Sequence, residues 1–193
     1  MTDEDKAAVL EAVIFHVRSG FPDADEIAEI IDDTVLEPGE VDQDWLRTVI
    51  AAAFATKRRE EAKWPKETDC DRLDQLFDAL NEDGIIALQN AGYTQSDGIS
   101  DITEAYHEAG GEESDVTGYC FYHGQDLERV VEAGDLWLTF GDIGGEDDKG
   151  VEIGHRIRKA AESRGFEVDW SGSIKTRLLI KGLDWKRRSG RTV

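Results

Sequence analysis

The hydrophobic pattern of the chain changes between residues 64 and 69, and this change constrains the fold more than any other feature. Before it, apolar residues recur every three to four positions, the spacing typical of helices. After it, short apolar runs of strand length alternate with helical patterns and with Gly- or Asp-rich turns. The sequence therefore predicts an α/β fold, on the border with α+β. A small all-helical N-terminal domain precedes an α/β sandwich whose mixed sheet has about five strands.

Three regions follow from this pattern. Residues 1–64 are predicted to form a domain of about three helices, which ends where Trp64-Pro65 stops the third helix. Residues 70–183 are predicted to form the α/β domain, with an antiparallel hairpin as its last two strands. Residues 184–193 are predicted to be a basic tail, frayed and solvated. The basic cluster at this end contains Lys181, Lys186, Arg187, Arg188 and Arg191.

The charge of the chain restricts its partners. The 193 residues include 43 acidic and 22 basic side chains, a formal net charge of −21. Acidic residues outnumber basic ones on both sides of the boundary, with 17 against 8 up to Thr68. Such a field repels phosphate backbones and anionic lipids, so we expect no direct binding to nucleic acid or membranes. The excess charge suits either a solvated surface, as in a salty cytoplasm, or docking onto a basic protein partner.

Three predicted N-terminal helices with a Pro-Gly turn are also compatible with a helix-turn-helix, a DNA-binding motif. In that motif the N-terminal residues of the second helix of the pair contact base edges. Here those residues would be Asp42, Gln43 and Asp44. Two carboxylates in that position would be repelled by phosphate, so the sequence argues against this function.

The cysteines and the apolar runs point to a cytoplasmic protein. Cys70 and Cys120 are the two cysteines, and they give no disulfide framework. Met1-Thr2-Asp3 begins the chain without the basic residues of a targeting peptide. No apolar run approaches the roughly 20 residues that span a bilayer.

Polar side chains follow the predicted strands that start at Ile85, Gly118 and Leu136. If these strands are parallel, their carboxyl ends share one edge of the sheet, where open α/β sheets bind ligands. The ligand-binding candidates at this edge are Asn90, Tyr93, Thr94, Ser96, Asp97, His123, Gln125, Asp126 and Asp142.

His123 is the candidate whose side chain titrates near neutral pH. Oriented by Asp97 or Asp126, it could transfer a proton, which makes these three residues the weak catalytic candidates. His123 with Asp97, Asp126 or Asp142 could also hold a divalent cation. We favour a structural interpretation, in which Asp97 and Asp126 cap helices and His123 completes a turn.

Known cofactor and metal motifs do not occur in the sequence, so we predict no cofactor and no metal site. Cys120 and His123 form C-x-x-H, but a zinc site needs further ligands at matching spacing. His107 follows Glu104 by three residues, yet the apolar pattern of that helix leaves His107 near its exposed face. The Gly-rich loop at 141–149 carries carboxylates that would repel phosphate, and we expect it to be a mobile acidic loop.

Two sequence runs carry a family resemblance: ALQNAGYTQSDG from Ala87 to Gly98 and GYCFYHGQD from Gly118 to Asp126. With Trp170, Gly172 and Arg177 later in the chain, they resemble an uncharacterised bacterial family of unknown function. The resemblance covers roughly residues 70–181 and implies a shared fold around the polar strand edge. It implies no catalytic residue, substrate or cofactor. It does not cover the helical first third of the chain, which we expect to be a more variable attachment.

The function that the sequence favours is a non-catalytic, acidic interaction module that binds a basic protein, in the manner of an inhibitor or immunity protein. The charge of −21 and the absence of a nucleophile motif support it. The alternative is a small-molecule-binding protein or enzyme that uses the edge around Asp97, His123 and Asp126. The sequence does not determine a reaction, a substrate, a partner or an oligomeric state.

Overall fold

The computed structural model describes residues 1–37 and 39–190, so the predicted loop residue Pro38 and the tail residue Arg191 lie outside the described residues. The chain forms two compact units. Unit 1 comprises Met1–Thr68 together with 186–190, and unit 2 comprises Asp69–Trp185. Among the residues described, no helix is both long enough and apolar enough to cross a lipid bilayer.

The described residues of unit 1 form three helices, each started by a side chain that caps its first turn. The helices are α1 (Asp3–Ser19), α2 (Ala24–Thr34) and α3 (Gln43–Glu61). Thr2 and Asp23 form capping boxes with Asp5 and Glu26, and the Asp42 carboxylate accepts a hydrogen bond from the Trp45 amide. One apolar core lies between the helices, formed by Val9, Val13, Val17, Ile27, Ile31, Val41, Leu46 and Ile50.

Residues 186–190 pack within unit 1, so the prediction of a frayed, solvated tail is wrong for these described residues. Arg187 is only 1% exposed, and its guanidinium carbon lies 4.5 Å from the centre of the Phe21 ring. The Arg188 side chain donates a hydrogen bond of 2.5 Å to the Pro65 carbonyl. Arginine packs its aliphatic stem on apolar surface and stacks its planar head on rings, so a basic segment can be buried.

Unit 2 alternates helices and strands, and its five strands form one sheet in the order β1-β2-β3-β5-β4. Its helices are α4 (Asp69–Glu82), α5 (Gln95–Glu108), α6 (Gly124–Ala133) and α7 (Asp147–Glu162). Its strands are β1 (Ile85–Leu88), β2 (Gly118–Phe121), β3 (Leu136–Asp142), β4 (Glu167–Asp169) and β5 (Leu178–Lys181).

The sheet is mixed, which confirms the predicted fold class. β1 and β2 are parallel neighbours, and β4 and β5 form the predicted antiparallel hairpin. β3 is antiparallel to β2, with Asp142 opposite Gly118. The prediction that β3 ends beside β1 and β2 is therefore wrong, and Asp142 lies at the other end of the sheet. An apolar strand pattern carries no direction, because direction depends on where the connecting helix α6 docks.

The two faces of the sheet carry different helices, and this separation positions the site. A Cβ at Gly118 would lie 2.6 Å from Ile153 of α7, so that face packs against α7. A Cβ at Gly98 of α5 would lie 2.2 Å from the Phe121 ring on the other face. Phe121 pairs with Thr139 and Tyr119 with Gly141, so Thr139 shares the face of Tyr119 and Phe121.

Candidate functional site

A buried ionic cluster surrounds Asp126, in the first turn of α6. The carboxylate is fully buried and accepts hydrogen bonds from both terminal nitrogens of Arg177, one of them at 3.0 Å. Arg129 Nη1 donates to the same carboxylate at 3.0 Å, and His123 Nε2 lies 3.1 Å from its Oδ2. One carboxylate therefore holds two guanidinium groups and an imidazole.

The cluster links three parts of unit 2. His123 is the residue that precedes α6, and its backbone amide donates to Asp126 at 3.4 Å. Arg177 comes from the segment just before β5, and its Nη2 also donates to the Trp137 carbonyl of β3 at 2.9 Å. Asp126 thus connects the start of α6 to β3 and to the approach of β5.

His123 is only 3% exposed, and its surroundings disfavour protonation. Burial lowers the pKa of His123 most; the Asp126 carboxylate opposes this, and the two arginine charges lower the pKa further. A neutral imidazole that donates from Nε2 to Asp126 leaves Nδ1 unprotonated. Nδ1 is buried and has no hydrogen-bond partner among the residues described.

The segments that follow β1 and β2 meet, as expected for parallel neighbours. The Ala91 amide donates to the Tyr122 carbonyl at 2.9 Å, and the Gly124 amide donates to the Gly92 carbonyl at 2.9 Å. The Gln125 amide completes the contact by donating to the Tyr93 carbonyl at 3.2 Å. Asn90, beside them, has the left-handed backbone angle φ 52°, which is uncommon for a residue other than glycine.

Asp97 and Thr94 cap α5. The Asp97 carboxylate accepts hydrogen bonds of 2.9 Å from both the amide and the hydroxyl of Thr94, and these bonds lower the pKa of Asp97. The exposed Tyr93 donates its hydroxyl to Glu128 at 3.1 Å, and Ser96 lies exposed in the first turn. Asp97 caps α5 and Asp126 caps α6, as the structural interpretation of these two residues predicts.

A cavity of about 450 Å³ opens on the sheet face that carries Tyr119 and Thr139. Its walls come from three places: the first turn of α5, the β3–α7 connection and the segment before β5. The lining residues are Gln95, Tyr119, Thr139, Phe140, Gly141, Asp142, Gly145, Glu146, Asp147, Ile174, Lys175, Thr176 and Arg177. Arg177 connects this cavity to the cluster around Asp126.

Two buried polar atoms of lining residues have no hydrogen-bond partner in the described part of the chain. They are the Thr139 hydroxyl, on a residue that is 6% exposed, and Arg177 Nε. Burial and the nearby Asp142 carboxylate raise the pKa of another polar lining residue, Tyr119. Two residues of the cavity wall therefore each carry a buried polar atom without a hydrogen-bond partner among the described residues.

Thr139, Tyr119, Arg129 and Arg177 were not among the candidates predicted from the sequence. Thr139 had a signal, because it is the polar residue within the apolar run of β3. Arg177 stood out only as part of the family resemblance. Asp142, placed at the wrong edge by the prediction, lines the cavity together with Glu146 and Asp147 of the acidic loop.

The two cysteine thiols are buried, and the Asp126 carboxylate is already engaged in hydrogen bonds. Across the described residues, no three or more His, Cys, Asp or Glu side chains are arranged to hold a metal ion. Both oxygens of Asp126 already accept hydrogen bonds from guanidinium groups. Cys70 and Cys120 are buried thiols, and burial raises the pKa of Cys120 to about 12, so that thiol stays protonated at neutral pH.

Comparison with known proteins places the chain in a family. No curated protein and no solved structure matches it. The model of a family described as a domain of unknown function, DUF6891, matches residues 2–189. This match is wider than the region 70–181 and includes the helices of unit 1, so unit 1 lies within the family's domain. The chain therefore belongs to the DUF6891 family of domains of unknown function.

Proposed function

We propose that this protein binds a small polar molecule in the cavity beside Thr139 and Arg177. The observation that carries the proposal is Thr139, a residue that lines the cavity and whose buried hydroxyl has no hydrogen-bond partner among the described residues. An unsatisfied buried hydroxyl costs about 1–3 kcal/mol of stability. A bound molecule that hydrogen-bonds to Thr139 would recover part of this cost.

Arg177 supports the proposal because it is fixed before any ligand arrives. Asp126 and the Trp137 carbonyl hold its terminal nitrogens. A side chain that is already ordered loses little conformational entropy on binding, which favours affinity. The cavity size also lies within the range of small-molecule sites, about 300–1,000 Å³.

The lining favours binding over catalysis. The described residues around the cavity include no histidine and no cysteine, and His123 belongs to the Asp126 cluster, which also contains Arg177. We therefore propose a binding or sensing role, for a metabolite of the cytoplasm, the compartment that the free cysteines favour.

The experiment compares Thr139→Val with Thr139→Ser in a thermal-shift screen of amino acids, nucleosides, sugars and organic acids. We expect at least one compound to raise the melting temperature of the wild type and of T139S, which keeps the hydroxyl, but not that of T139V. T139V without ligand should be as stable as the wild type or more stable by about 1 kcal/mol. A screen in which no compound stabilises the wild type, or in which T139V responds equally, would contradict the proposal.

The second candidate is the acidic interaction module, and the net charge of −21 favours it. A basic protein would bind this surface with an affinity that falls as salt rises. The test is affinity capture on the immobilised full chain at low salt, followed by elution with a salt gradient. Recovery of no basic protein at low salt would count against this function.

A further inference from the structure

We infer that the ligand of the cavity is a small zwitterion, with an ammonium group at one end and a carboxylate at the other. This inference rests on the proposed function and adds the chemical class of the ligand. It depends on how the charges that line the cavity are distributed over the elements of unit 2.

The ammonium end is assigned to the β3–α7 connection. Asp142, Glu146 and Asp147 line the cavity there. Lys149 Nζ lies 2.6 Å from Glu146 Oε1 and compensates that carboxylate. Asp142 accepts a hydrogen bond of 3.1 Å from the Glu146 amide and still has acceptor capacity for an ammonium group.

The carboxylate end is assigned to Arg177, Lys175 and Thr139. Around Asp126, two guanidinium charges face one carboxylate and a neutral imidazole, so the cluster carries a net charge of +1 (+2 − 1). The exposed Lys175 adds a second cation at the cavity wall. The unpartnered Thr139 hydroxyl is a donor that a carboxylate oxygen could accept from.

The spacing along β3 sets the length of the ligand. Thr139 and Asp142 are three residues apart in one strand, which corresponds to roughly 10 Å at 3.3 Å per residue. Both residues line the cavity. They are an odd number of positions apart, so their side chains leave opposite faces of β3, and this length sets the scale of the distance between the ligand charges. A chain of about five carbons suits this separation, whereas an α-amino acid headgroup alone is too short to reach both ends.

The experiment uses four probes of equal carbon number on the full-length protein: 5-aminopentanoate, pentane-1,5-diamine, glutarate and 1-pentanol. Isothermal titration calorimetry gives the Kd of each. We expect 5-aminopentanoate to bind at least about 10-fold more tightly than each of the other three, because each of them loses one favourable charge contact or both.

Two variants test the two ends separately, with Glu104→Gln on the exposed face of α5 as a charge-matched control. Asp142→Asn should weaken 5-aminopentanoate by about 10-fold or more, and Lys175→Met should weaken it by several-fold. E104Q should leave the Kd unchanged. Circular dichroism melting of each variant separates a lost contact from a lost fold.

The outcomes distinguish the ligand class from the site itself. If the diamine, glutarate or pentanol binds most tightly, the inference of a zwitterionic ligand is overturned. The cavity would still be a ligand site. Failure of all four probes would also overturn it, while the metabolite screen decides the proposed function independently. A Kd that D142N and E104Q change equally would overturn the assignment of the ammonium end.

Discussion

Burial lowers the pKa of His123 and the charge of Asp126 raises it, and the effect of burial is the larger of the two. The folded-state pKa of His123 is lowered from 6.5, because desolvation outweighs the attraction of Asp126. As the pH falls below about 6.5, the unfolded chain takes up the proton before the folded chain does. The contribution of His123 to stability is therefore present above about pH 6.5 and is lost as the pH falls toward the folded pKa.

We expect the wild type to lose stability as the pH falls below about 6.5, with a slope that includes a His123 contribution of at most about 1.4 kcal/mol per pH unit. His123→Gln should flatten this slope, as measured by urea unfolding at a series of pH values. His107→Gln, at an exposed position of α5, is the matched control for the loss of an imidazole side chain. Equal slopes for the wild type and H123Q would mean that His123 is not protonated preferentially in the unfolded chain.

At the scale of elements, α5 packs on the sheet through a glycine. A methyl group at Gly98 would lie 2.2 Å from Cε2 of Phe121, which is fully buried. Gly98→Ala gains up to about 1 kcal/mol of helix propensity, but overpacking costs about 1–3 kcal/mol. We expect a net loss of about 1–2 kcal/mol in the free energy of unfolding, measured by chemical denaturation.

Ser100→Ala is the matched control for Gly98→Ala. Ser100 lies exposed on the same helix, and its hydroxyl bonds only to the Ser96 carbonyl one turn earlier. This change should alter stability by less than about 0.5 kcal/mol. If G98A were as stable as S100A, α5 would have room to move away from β2, and the close packing would not limit the helix position.

At the scale of the whole molecule, residues 186–190 follow unit 2 in the sequence but belong to unit 1. Arg187 is buried there, with its guanidinium above the Phe21 ring and its stem against Gly20. Arg187→Ala removes both contacts and should destabilise unit 1 by about 2 kcal/mol. Hydrogen exchange of peptides from α1 and α3 should accelerate accordingly.

Lys6→Ala removes the same charge from an exposed position of α1 and serves as the control. Its exchange rates should stay close to those of the wild type, since exposed substitutions usually change stability by less than about 0.5 kcal/mol. Equal exchange in R187A and K6A would show that the burial of Arg187 does not stabilise unit 1.

The sequence by itself determined the kinds and order of the elements. Apolar spacing is a local property, so it predicted the helical trio, the alternation after Ile85 and the final hairpin. Capping is local as well, because a carboxylate such as Asp97 needs only a hydroxyl three residues away. The class of fold and the parallel pairing of β1 with β2 agree with these local signals.

Only the tertiary structure decided which residues meet. The direction of β3, and with it the position of Asp142, depends on where α6 docks, and no residue of β3 encodes that. Arg177 is 51 residues from Asp126, and Thr139 lies opposite Phe121 on a strand of reversed direction. Long-range packing brings the side chains of one cavity together, and its energy is spread over many contacts. Local spacing in the sequence therefore predicts the capped helix ends but not the cavity.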